Sequence, residues 1–103
     1  MTRSRLTRLA LAAPLLALAL AAAAPAQADC YADYKAKQDS PLRLSYGVIA
    51  LAGGACASPA AARPIVAERI AKGGWTLLTV LSIFGPEGLA QRKANAGAYY
   101  LRY

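Results

Sequence analysis

The chain contains no histidine, and its 103 residues include only five Asp and Glu, one Phe, one Trp and one Met. Without an imidazole there is no Ser-His-Asp or Cys-His arrangement within one chain. Two cysteines alone fall short of the three or four ligands a zinc site needs. The carboxylates are Asp29, Asp33, Asp39, Glu68 and Glu87, and three of them crowd one segment. A glycosidase needs two carboxylates opposed across a cleft, for which so small a chain has little room. Gly53-Gly54 and Gly73-Gly74 lack the Lys-Ser/Thr or the spaced glycines of a phosphate loop. The expectation is a protein that is not an enzyme, with no catalytic residues, no metal site and no cofactor.

What the chain does have is an excess of base and of apolar residues, 57% of the total. Both excesses begin at the N-terminus. Arg3, Arg5 and Arg8 precede a Leu/Ala run from Leu9 to Ala24 that only Pro14 interrupts, and Ala26-Gln27-Ala28 follows. Basic leader, apolar stretch and small-x-small site are the zones of a secretory signal peptide. The uninterrupted part, Leu15 to Ala24, is far shorter than the ~20 residues that span a bilayer. Residues 1–28 are therefore expected to be cleaved, with no transmembrane anchor afterwards. Residues 29–103 remain as a single small domain in the periplasm or secreted medium. That part carries nine Lys and Arg against five Asp and Glu, a net charge of +4.

Cys30 and Cys56 both lie in this mature part. In an oxidising compartment such a pair most simply forms one disulfide. The spacing is far from the Cys-x-x-Cys of a dithiol oxidoreductase.

Turn signals divide the domain. Asp29 to Ser40 is polar, with Tyr31 and Tyr34 read as one side of a short helical turn, and Asp39-Ser40-Pro41 closes it. Leu42, Leu44, Tyr46 and Val48 alternate with Arg43, Ser45 and Gly47, the pattern of a half-buried strand, with Gly47 compatible with a bulge. Ser58-Pro59 opens a helical region. Pro64 is expected to divide it into a loose turn and a helix ending at Gly73-Gly74, with Ile65, Val66 and Ile70 inward. Trp75 to Phe84 reads as a strand apolar on both sides, with Trp75, Leu77 and Leu81 on one. Leu89 to Ala96 is a short helix stopped by Gly97, and Ala98 to Tyr103 a last strand. The fold class expected is α+β: a split β-α-β, three-stranded sheet with one main helix on one face and a second short helix before the last strand. The chain would end in the central strand. The expected core is Leu44, Val48, Ile65, Val66, Ile70, Trp75, Leu77, Leu81 and Leu101.

Gly74-Trp75-Thr76-Leu77-Leu78 and Tyr99-Tyr100-Leu101-Arg102 together resemble a family of very small strand-helix-strand-strand domains of unknown function. In that family a Gly-Trp-x-Leu motif follows the helix and an aromatic-and-basic strand closes the fold. The resemblance spans Leu42 to Tyr103; Thr76 stands where the family usually has Glu. It implies the fold and no chemistry. The chain is also similar to small exported proteins of Gram-negative bacteria.

The basic residues Lys35, Lys37, Arg43, Arg92, Lys93 and Arg102 accompany six tyrosines. Export separates this mixture from nucleic acid, leaving anionic envelope surfaces and acidic envelope proteins as partners. If Arg43 and Arg102 lie on neighbouring strands, they form a cationic binding patch with Tyr100. The function expected is a non-enzymatic binding module. The alternative is a small inhibitor of an envelope enzyme, projecting Gly85-Pro86-Glu87-Gly88. Strand edges and an apolar sheet face also suggest a homodimer with Leu78, Val80 and Tyr100 near the contact. In the other arrangement, Tyr31, Tyr34 and the Leu89 helix fold back to cover that face.

Overall fold

The computed structural model describes residues 28–103; the leader expected over residues 1–28 lies, but for Ala28, outside the described residues. Three strands form one antiparallel sheet: β1 (Cys30–Gln38), β2 (Arg43–Leu51) and β3 (Thr76–Phe84). Their order across the sheet is β2-β1-β3. Helix α1 (Pro59–Ala71) connects β2 to β3, and a second helix, α2 (Ala90–Ala96), follows β3. The protein is α+β. Since β2 and β3 both run antiparallel to β1, they are parallel to each other, with the α1 crossover between them and β1 in the gap.

That central place belongs to the N-terminal segment and not to the end of the chain. Cys30, Ala32, Tyr34 and Ala36 are buried on one face of β1, while Tyr31, Asp33, Lys35 and Lys37 alternate onto the other. This is an ordinary period-two strand whose apolar side is built largely from alanine. It carries too little hydrophobicity to stand out against its charged neighbours. The last segment forms no strand: Gly97–Tyr99 is a turn of 3-10 helix, and Tyr100 makes one parallel bridge to Val48. Gly97, at φ 53° and ψ −121°, bends the chain there into a conformation open to glycine alone.

Helix α1 begins where Ser58 accepts a hydrogen bond from the Ala61 amide at 3.0 Å, and Pro59 occupies the first turn. The helix runs unbroken through Pro64, so the expected division at that residue does not occur. Ala62, Val66 and Ile70, at i, i+4 and i+8, are its buried stripe. They pack against Ala32, Tyr34, Ala36, Ile49, Leu51, Leu77 and Val80. Gly74, at φ 81°, turns the chain out of the helix and drops Trp75 into the same core. The disulfide joins Cys30 in β1 to Cys56 in the turn before α1. It fastens the central strand to the crossover.

Val48, Val66, Ile70, Trp75 and Leu77 are buried, whereas four residues expected in the core are exposed. Leu81 is 43% exposed because β3 bulges twice. Tyr34 pairs with Val80 but Asp33 with Ser82, leaving Leu81 over; Ala36 pairs with Leu77 but Lys35 with Thr79, leaving Leu78 over. Leu77, Val80 and Ile83 consequently meet the core three residues apart, and strict alternation misplaces Leu81 and Val80. Leu44, 70% exposed, sits opposite Lys37 at the end of the second face that no helix covers. Ile65 lies beside the Ala62–Val66–Ile70 stripe, not on it. Leu101, at φ 55°, is exposed after the terminal turn.

Gly47 is no bulge, since the β1–β2 register is continuous through it. A Cβ at Gly47 would stand 2.5 Å from Cζ and Oη of Tyr34. The glycine is the floor on which that buried ring lies. Both edges of the sheet are met by arginines of α1. Arg69 donates to the Ala50 carbonyl in β2 and to the backbone oxygen of Tyr103; Arg63 donates to the Leu78 carbonyl in β3 at 3.2 Å. Leu101 donates its amide to Val48 at 2.9 Å and occupies one more edge position. Such caps oppose pairing with a foreign strand.

Candidate functional site

The second face of the sheet divides into a closed half and an open one. In the closed half, α2 packs beside β2 and covers Val48. Asp33, the one buried charged residue described, sits there. Its carboxylate accepts from Ser82 Oγ at 2.6 Å, Tyr46 Oη at 2.9 Å and Arg92 Nε at 3.1 Å. Burial acts to raise the Asp33 pKa and is the largest single influence. The hydrogen bonds from Ser82, Tyr46 and Arg92, with the Arg92 charge, outweigh it and hold the carboxyl below its ordinary value. Burial first, then the contact with Asp33, pushes the Tyr46 hydroxyl up to about 12.

Arg92 ties this lock to the next turn of chain. It donates to the Gly88 carbonyl at 2.8 Å and lies over the Phe84 ring at 3.9 Å. The Gly85–Gly88 loop is thereby tied down: Gly88 is buried, and the Glu87 carboxylate folds back against Gly85. Sequence reasoning placed neither Asp33 nor Arg92 here. The available signal was one carboxylate among the outward residues of β1, alternating with Ala32 and Tyr34.

In the open half, Lys35, Ala36, Leu44, Ser45, Tyr46 and Leu78 line a groove of about 290 Å³. Leu44 and Leu78 among them are exposed; Leu42, 65% exposed, lies in the turn before β2. Tyr46 belongs to both halves, its ring lining the groove and its hydroxyl held by Asp33.

The three residues expected to form one patch are only partly brought together. Arg43 lies over the Trp75 ring at 5.8 Å, and Trp75 meets Tyr99 edge-on at 5.2 Å. Arg102 lies 5.8 Å from the Tyr99 ring and 6.0 Å from that of Tyr103, which stacks on Tyr99. Arg43 and Arg102 thus flank one aromatic cluster through Tyr99. Tyr100 instead faces Lys93, whose ammonium is 5.6 Å from its ring. The cause is the missing last strand, since a turn separates what strand parity would have aligned. Tyr103 seats its hydroxyl where a Cβ on Gly73 would clash at 2.0 Å. Buried Tyr34 lies among these rings; burial first, then Tyr103 and Tyr99, push its pKa up to about 12 against the pull of Arg69.

Among the described residues no three His, Cys, Asp or Glu gather as a metal site, and no helix is long and apolar enough to cross a membrane. The Asp33 carboxylate is fully engaged and offers no free base. Compared with protein families, with curated proteins and with solved structures, the chain matches none.

Proposed function

We propose that the protein is a non-catalytic binding module of the periplasm or secreted medium that attaches to an anionic envelope surface. The observation that carries this reading is how its cations are held. Of the carboxylates, Asp33 is bound by Arg92 and Asp39 lies 3.5 Å from Lys37; the Asp29 side chain accepts from the Gly53 amide at 2.8 Å. Lys35, Arg43, Lys93 and Arg102 have no carboxylate within ion-pair distance among the described residues. Three of these four rest on aromatic rings. A ring steadies a cation without neutralising it, so its charge stays available to an anionic partner. The Cys30–Cys56 disulfide suits an oxidising compartment.

The test is binding of the purified exported protein to a soluble polyanion such as polyglutamate. Affinity is expected to fall at least tenfold from low to high salt, since surface charges are screened within about 8 Å at physiological ionic strength. It is expected to change little between about pH 6 and 7, because the chain has no histidine and the probe's carboxylates are ionised throughout that range. A protein that ignores polyanions at low salt would overturn the reading.

A further inference from the structure

We infer that the open half of the second sheet face is a lipid-contacting surface, which seats Leu44 and Leu78 at the boundary of an anionic bilayer. This rests on the reading above and names its partner. The two leucines are 70% and 42% exposed, and both line the groove with Lys35. Register places Lys37, 3.5 Å from Asp39, opposite Leu44, and places Lys35, which has no such partner among the described residues, opposite Tyr46.

Charge selects the occupant. A second copy seated face to face on this surface would bring Lys35, which has no carboxylate partner among the described residues, towards its own equivalent. An acidic protein in solution would satisfy the lysines and leave the leucines without a reason. An anionic bilayer satisfies both: lipid phosphates meet the ammonium groups while leucines enter the headgroup–acyl boundary. Rigidity helps, because Lys35, Leu44 and Leu78 lie on the three strands of a sheet braced by a disulfide and require no folding on contact. The Asp33 lock fixes the Tyr46 ring at the groove wall.

The experiment is flotation of the exported protein with vesicles of phosphatidylglycerol mixed into phosphatidylcholine, against pure phosphatidylcholine, with polyglutamate binding measured in parallel. Leu44→Ser and Leu78→Ser are each expected to weaken vesicle binding about tenfold and to leave polyglutamate binding unchanged. Leu44→Trp should show a blue-shifted emission component on anionic vesicles only, against the constant background of buried Trp75. Unchanged vesicle binding in both serine variants would overturn the lipid-contact surface while leaving the anionic-binding reading standing. Failure to bind either vesicles or polyglutamate would overturn both. A concentration-dependent dimer dispersed by Leu44→Ser would show that a second copy covers this face, and would also overturn it.

Discussion

The two faces of the sheet are made from the same three strands and are covered by opposite means. On the α1 face, Ala32 and Ala36 bring the backbone of β1 close to the helix, and Ala62, Val66 and Ile70 close over Tyr34 and Ile49. No charged side chain belongs to that core. On the second face a seven-residue helix covers one half, and the packing turns on a carboxylate with three donors. A long crossover helix can bury a continuous apolar stripe, whereas a short one needs a polar anchor to hold it in place. The uncovered remainder leaves Leu44 and Leu78 exposed.

The difference is sharpest where a core residue is cut. Ile70→Ala is expected to destabilise by about 4 kcal/mol, since a fully buried branched side chain leaves a cavity. Chemical denaturation checks this, and a loss below about 1 kcal/mol would mean that the α1 face is not the principal core. Next in size is the staple. Closing a loop with a sequence separation of 26 should contribute about 3.5 kcal/mol through the unfolded state. Cys30→Ser and Cys56→Ser should each lose that amount, and the double variant hardly more, because one change already removes the bond. Two titratable thiols in the protein purified under oxidising conditions would contradict it.

On the second face, Asp33→Ala should cost about 2 kcal/mol by leaving Arg92, Tyr46 and Ser82 without their acceptor. Its pH signature is distinctive. Because folding lowers the Asp33 pKa from 3.8, its contribution is complete above that value and is lost as pH falls through the lower folded value. Asp33→Asn should therefore flatten the acid arm of the stability curve. Tyr34 and Tyr46 act in the opposite sense: with pKa values raised from 10.0 to about 12, they favour the fold below pH 10 and withdraw that support as pH rises through 12. An acid arm identical in wild type and Asp33→Asn would place the titrating group elsewhere. The smallest effect belongs to the open half. Leu44→Ser is expected to change stability by under about 0.5 kcal/mol, as for exposed positions in general. A large loss would mean that Leu44 is covered after all.

The amino-acid order by itself determined the α+β class, the crossover helix with its Ser58 cap and Gly73-Gly74 stop, the strands around Val48 and Val80, the second helix, and the cysteine pair. These are local signals: caps, breakers, and hydrophobic runs long enough to outweigh their neighbours. Only the tertiary structure decided which segment is central. Residues 30–38 carry little hydrophobicity of their own and become a strand because β2 and β3 supply partners on both sides. Tyr99 to Tyr103 is more apolar, yet the left-handed bends at Gly97 and Leu101 spend it on a turn. The two bulges that expose Leu78 and Leu81 arise from fitting β3 to β1. Asp33 is buried because Tyr46, Ser82 and Arg92, 13, 49 and 59 residues away, converge on it. Pairing, register and burial of a lone charge depend on partners distant in the chain, and a reading that moves along the sequence meets each of them alone.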